Sequence, residues 1–419
     1  ESGAGPAGGA APTETLATVR LRDGVGHPGV ALTVISNAPD GSLVAEAVSD
    51  EDGEVELVIP VDGSVSAVYT STYQYADPEA PLAVTRYVDT IVFDGLPGDS
   101  VQFRVNGSAA APPLEQMTVM IAAPALAGAA SYDVSTSCNN SLGIATSSKV
   151  LQIPNCRPDD LFDAVMVARN AAGEIIDHAM LANAPFTSGE YQSYDLAWLH
   201  SPVGSVEFQI ENIPAGAAQV YLSSAAGQSA INGGTWATTM VTIDNPESEI
   251  TKPLAHLDSY GNRHCLYGQL LLENSASRGS SVSRQRCSPE ADLSPIVFDV
   301  EALARLEPTV ESESPLTIAV SEPWPGSYGQ VLSVTQRWLR NSDNGYWRAY
   351  ATPGPRTLRF PQLPAALAQY ALATTDAIDR TNVSNTIAFG GPESFEDAVA
   401  AGLPLWPQDY WSADVSVAP

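Results

Sequence analysis

Apolar and polar side chains alternate along most of this chain. In Glu54-Val-Glu-Leu-Val-Ile59, Val55, Leu57 and Ile59 fall on one side, with Glu54 and Glu56 on the other. A period of two is the pattern of a strand with one face in a core. Gly29 to Ile35, Leu43 to Val48, Phe162 to Arg169, Glu174 to Leu181, Val310 to Ser321 and Val331 to Leu339 read the same way. Three longer stretches share a further phrase, in which a strand runs into a Leu-Pro or Ile-Pro corner and a second strand leaves it. They are Ile91 to Val105 around Pro97, Val206 to Leu222 around Pro214, and Leu358 to Leu372 around Pro364. A proline with small neighbours suits a corner and not a strand centre. The repeated phrase predicts three tandem β-sandwiches.

Punctuation between strands is equally legible. Asp52-Gly53 stands between two apolar runs, and Asn170-Ala-Ala-Gly173 between two more; both predict hairpins, since such turns need positive φ. Residues 1–12 are Gly/Ala-rich and read as a flexible segment, and 108–117 as a linker. The expected division is therefore 13–107, 117–250 and 256–387, followed by an aromatic tail over 388–419. Within that last stretch Ser394-Phe-Glu-Asp-Ala-Val-Ala-Ala-Gly402 predicts a short helix, with Ser as N-cap, acids in the first turn and Gly at its end.

The first 107 residues resemble a known family. Gly29-Val-Ala-Leu-Thr-Val, then Val48-Ser-Asp-Glu-Asp-Gly-Glu-Val-Glu-Leu, then Phe93-Asp-Gly-Leu-Pro-Gly look like the carboxypeptidase regulatory-like domains. These are transthyretin-like seven-stranded sandwiches, and Ser49 stands where the family has Thr. The resemblance covers residues 13–107 and implies an accessory module with no catalytic residues to carry over. The remainder resembles uncharacterised secreted bacterial surface proteins. The expected class is all-β: three tandem sandwiches, Ig-like or transthyretin-like, with a short C-terminal helix and tail.

Composition narrows the partners. The 419 residues carry 48 acidic and 19 basic side chains, a formal charge of −29, which repels nucleic acid and anionic lipid alike. No apolar run reaches the roughly 18–20 residues of a spanning helix. The chain begins at Glu1, which fits a mature product after removal of a leader; a lipid anchor upstream stays open. Four cysteines form two local pairs, Cys138 with Cys156 and Cys265 with Cys287. None has zinc spacing, so two disulfides and an oxidising, extracellular location are expected.

The chemistry-bearing motifs are absent: no GxSxG, HExxH, Walker loop or GxGxxG occurs. Five histidines are scattered over the chain, and His178 reads as a half-exposed strand residue. No cofactor is expected. Asp50, Asp52 and Glu54 cluster on one acidic turn and form the calcium candidate, although the alternating D-x-D-x-D-G loop is missing. Aromatic residues concentrate near the C-terminus, where Trp347, Tyr350, Trp406 and Trp411 are candidates for a ligand surface or an interface. Burial of Trp338 and Trp347 in the core is the competing reading. The expected function is non-enzymatic: a secreted or cell-surface structural protein assembling with copies of itself into a filament or layer through its terminal segments. Carbohydrate binding or adhesion through the aromatic C-terminal region is the alternative, and a hydrolase with dispersed acids comes third.

Overall fold

The computed structural model describes residues 13–23, 28–73, 83–105, 115–136, 140–155, 160–200, 204–211, 213, 217–230, 233–256, 263–275, 278–288, 296–299, 307–313, 316–321, 331–340, 343–353, 356–388, 394–403 and 410–417. The chain is all-β, and its strands fall into consecutive sets. The first set is β1 (Glu14–Arg22), β2 (Thr33–Asn37), β3 (Leu43–Val48), β4 (Glu54–Pro60), β5 (Ser64–Tyr73), β6 (Ala83–Val92) and β7 (Ser100–Arg104). The second is β8 (Gln116–Ala122), β9 (Ser131–Thr136), β10 (Asn140–Ile144), β11 (Ser148–Pro154), β12 (Leu161–Arg169), β13 (Ile175–Pro185) and β14 (Tyr191–Asp195). The third is β15 (Gly204–Glu211), β16 (Ala217–Ala230), β17 (Gly233–Asp244), β18 (Ile250–His256), β19 (Arg263–Ser275), β20 (Arg278–Ser288) and β21 (Ile296–Asp299). The fourth is β22 (Glu307–Glu313), β23 (Leu316–Ser321), β24 (Val331–Arg340), β25 (Asp343–Ala351), β26 (Arg356–Arg359), a 3-10 helix (Ala365–Tyr370), β27 (Ala377–Ala388), α1 (Phe395–Ala401) and β28 (Tyr410–Val417).

The strand order repeats from set to set. In each of the first three, the opening strand is the middle of a three-stranded sheet: β4-β1-β7, β11-β8-β14 and β18-β15-β21. It pairs antiparallel with one neighbour and parallel with the other. The other four strands follow one order, as β3-β2-β5-β6, β10-β9-β12-β13 and β17-β16-β19-β20. The fourth set keeps that order, as β25-β24-β27-β28. Its small sheet is β22-β23-β26, where β22 comes before the middle strand and pairs antiparallel with it.

Alternation explains the cores. Ala17, Val19 and Leu21 of β1 and Val101 and Phe103 of β7 meet Val65, Ala67 and Tyr69 of β5 across one core. In the second set Met117, Val119 and Ile121 meet Phe162, Ala164 and Met166. Strand β12 is buried along nearly its whole length because β17 of the third set also runs against β9 and β12. On the paired strand β13, His178 is fully buried, which corrects the expectation of a half-exposed strand residue.

Local expectations meet mixed outcomes. The Asn170–Gly173 turn closes the β12–β13 hairpin. The Asp52-Gly53 turn forms with Gly53 at φ 68°, yet it joins no hairpin: β3 pairs with β2, while β4 pairs with β1. The turn carries the chain from one sheet to the other. The proline corners do the same, but at different steps of the order. Pro97 lies between β6 and β7, and Pro364 between β26 and β27; Ile213 precedes the corner between β15 and β16, whose Pro214 is outside the described residues. Beyond Pro364 the expected strand is instead the 3-10 helix, in an alanine-rich stretch with little to hold a ladder.

Candidate interaction site

The four-stranded sheets do not stay separate. Those of the third, fourth and first sets join edge to edge into one sheet of twelve strands, β17-β16-β19-β20-β28-β27-β24-β25-β6-β5-β2-β3. At one joint β28 pairs antiparallel with β20, from Arg278↔Val417 to Gln285↔Tyr410. At the other β25 pairs parallel with β6, from Asn344↔Thr85 to Tyr350↔Ile91. Residues some 260 positions apart in sequence are thus neighbours in one ladder.

The β25–β6 joint is built differently on its two faces, because side chains alternate across a strand. On one face Arg348 Nε donates to Asp89 Oδ1 at 2.6 Å, and Arg348 Nη2 reaches Asp89 Oδ2 and the Tyr69 hydroxyl. Tyr69 in turn donates to Asp89 Oδ2 at 2.8 Å, and the guanidinium lies over the Tyr87 ring, 4.8 Å from its centre. Burial disfavours the charge on Arg348, but the Asp89 carboxylate, with Tyr350 and Tyr69 beside it, holds the guanidinium pKa well above its ordinary value. Tyr350, on the same face, is buried and its hydroxyl pKa is pushed up by desolvation. On the opposite face Trp347 Nε1 donates to Thr90 Oγ1 at 3.1 Å, and its ring packs edge-on against Phe360.

Both cores run through this joint. The core under β1, β4 and β7 takes Val331, Tyr350, Phe395, Ala398, Val399 and Leu403 from the fourth set. The core under β22, β23 and β26 takes Val68 and Val88 from the first. The expected helix forms as α1, with Ser394 Oγ accepting from Asp397 N at 3.1 Å, and it docks on the first set. Leu403 N donates to Gln102 O at 3.2 Å, and Arg104 N to Leu403 O at 2.7 Å.

Trp347 and Tyr350 are therefore corrected as surface candidates. Trp347 is 0% exposed, wedged in the joint, and presents no platform to a sugar. Trp406 lies outside the described residues; Trp411 sits on β28 opposite Arg284 and Ile387, its side chain undescribed. At the acidic turn Asp50 Oδ1 already accepts from Asp52 N and Glu54 N, at 3.0 and 2.9 Å. Glu54 Oε1 pairs with Arg20 and Arg22 at 3.1 and 3.3 Å, and Asp52 contributes its backbone carbonyl to Arg22. Among the described residues no cluster of three or more His, Cys, Asp or Glu is set to hold a metal. Cys265 and Cys287 form a disulfide between the directly paired strands β19 and β20; Cys138 and Cys156 are outside the described residues.

Two groups escaped the sequence reading. Asp89 and Arg348 could have been flagged as charges inside apolar runs, but neither run names the other as partner. Two of the scattered histidines meet in the third set: Ser224 Oγ lies 2.5 Å from His256 Nδ1, and His256 Nε2 lies 2.9 Å from His264 Nδ1. Burial, then the neighbouring His264, lowers the His256 pKa from 6.5 to about 4. Such a row has the makings of a nucleophile and base, but the serine is 1% exposed and closed off from solvent.

No family model matches the chain, and no curated protein matches it. Among solved structures, a leucine-rich repeat protein from Bacteroides thetaiotaomicron aligns at 12% identity over 45% of this chain and 26% of its own length, with a TM-score of 0.15. The Bacillus anthracis TIE protein aligns at 9% identity over 68% of this chain and 49% of its own, with a TM-score of 0.17. The chain thus spans half or less of either protein, and likeness at this level carries no argument about fold or activity.

Proposed function

We propose that this chain is an extracellular structural protein that assembles with copies of itself, built from four tandem sandwich units of transthyretin-like character. The four-unit reading replaces the three-part division at 117–250 and 256–387, since the repeated strand order divides near 200 and 300. The seven strands β1–β7 in two facing sheets support the resemblance of the first unit. The disulfide Cys265–Cys287 supports an oxidising compartment. One observation carries the function: units far apart in sequence are welded by backbone pairing of their sheet edges, with Val88, Asp89, Trp347 and Tyr350 buried at the β25–β6 joint. No catalysis, cofactor or metal is assigned. Negative-stain electron microscopy of the purified chain at neutral pH, with and without EDTA, tests the reading. Filaments or layers support it, and their loss in EDTA would show that a divalent cation takes part in assembly. Dispersed particles of single-chain size under both conditions would sink it.

A second reading is glycan binding, moved from the buried Trp347 to the second unit. Tyr191 on β14 is 58% exposed, in register with Thr118 of β8, which is itself paired with Gln152 of β11. An exposed ring beside uncharged polar side chains suits a neutral polysaccharide. Retention of Tyr191→Ala on glycan columns as strong as that of the parent chain would dismiss it.

A further inference from the structure

The twelve-stranded sheet ends at β3, and β2 is its single strand neighbour among the described residues. Ser49 N donates to Leu32 O at 3.0 Å, and antiparallel pairs alternate, so Ala45 and Ala47 turn their backbone groups toward β2. Those of Glu46 and Val48 therefore face out of the sheet. The edge is apolar for a chain of charge −29: Leu43, Val44 and Val48 are 37%, 43% and 58% exposed, and Glu46 is its one charged side chain. A register shift beside Asn37 bends the start of the strand, and Gln362 Oε1 accepts from Leu43 N at 3.4 Å. The usable edge is thus its second half. Sheet edges left open in this way, without lysine or proline, are templates for another strand.

We propose that β3 is the contact through which two copies of this chain meet, pairing antiparallel about a two-fold axis at Ala47. This rests on the assembly reading above and names its first interface. Both joints inside the molecule are made by the outer strands of four-stranded sheets, and β25, which fills the place in the fourth set that β3 fills in the first, is already paired on its outer side. The same construction carried across a two-fold continues the sheet into a second copy. A two-fold perpendicular to the sheet keeps each side chain on its own face, so the register centres on a residue. Centring on Glu46 sets two carboxylates opposite each other, which is unfavourable. Centring on Val44 or Ala45 runs into the bend. Centring on Ala47 sets Glu46 opposite Val48 of the second copy, twice, and both residues present outward backbone groups that complete the ladder.

Cysteine variants read the register directly. Under mild oxidation, a mixture of Glu46→Cys and Val48→Cys chains is expected to cross-link into dimers at least tenfold faster than either variant alone or the parent chain. In parallel, Val48→Glu sets a second carboxylate opposite Glu46 at both pairs and is expected to raise the dimer dissociation constant at least tenfold in sedimentation, with an unchanged melting curve, since the side chain lies in solvent in the single copy. If the parent chain assembles while Val48→Glu assembles equally well and the mixture cross-links no faster, the β3 contact is wrong and the assembly reading stands. A parent chain that is monomeric at every concentration overturns both.

Discussion

Arg348 and Asp89 show how much of this molecule turns on single side chains. Removing one member of a buried ion pair leaves the other without a partner in a dry core, so Asp89→Ala is expected to lower stability by about 3–5 kcal/mol in denaturant titration. Replacing both with apolar residues of similar volume should recover most of that loss. Gly345 has a different constraint: a Cβ there would come within 2.1 Å of the Trp338 indole, so the glycine lets that ring cross the β24–β25 hairpin. Gly345→Ala is expected to cost about 1–3 kcal/mol through overpacking. His256 makes stability depend on pH. Its folded pKa of about 4 lies below the ordinary 6.5, so the unfolded chain takes up the proton more readily. The stability held by the neutral ring is present above pH 6.5 and is lost as pH falls toward 4, an amount of about 3 kcal/mol. Melting curves of the parent chain and His256→Gln should diverge above pH 6.5 and converge near pH 4. None of these pairings could be read from the sequence, because alternation assigns a face to each residue and says nothing about which distant strand lies opposite.

At the scale of elements, strands, turns and the short helix were legible because their causes are local. The serine cap, the first-turn acids and Gly402 at φ 95° of α1 sit within nine residues. Ser394→Ala is expected to cost about 1 kcal/mol. Leu403→Ala, just beyond, removes a fully buried side chain from the first set's core and should cost about 2–5 kcal/mol in the same titration. The proline corners misled for a physical reason. Every chain that passes between facing sheets needs a sharp, ladder-free bend, so the same phrase arises at any crossing and does not count units. Asp50 illustrates the point at a turn: its carboxylate caps two backbone amides, as the Asn170 side chain does at Ala172 and Glu174. One of those turns closes a hairpin and the other changes sheets.

For the whole molecule, the two ends of the described chain are interlocked. The first unit's core is completed by Phe395, Val399 and Leu403, and the fourth unit's core by Val68 and Val88. A fragment ending at residue 306 should therefore expose apolar surface in its first unit and bind a hydrophobic dye that the full chain does not. Sequence patterning announced an all-β chain, but the welding of units rests on edges whose partners are hundreds of residues away. That same edge logic leaves β3 as the place for a further copy. Self-assembly is tested by the molar mass of the full chain, read by light scattering over a wide concentration range. A mass rising with concentration in multiples of 43.9 kDa is expected. A constant 43.9 kDa at every concentration would contradict it.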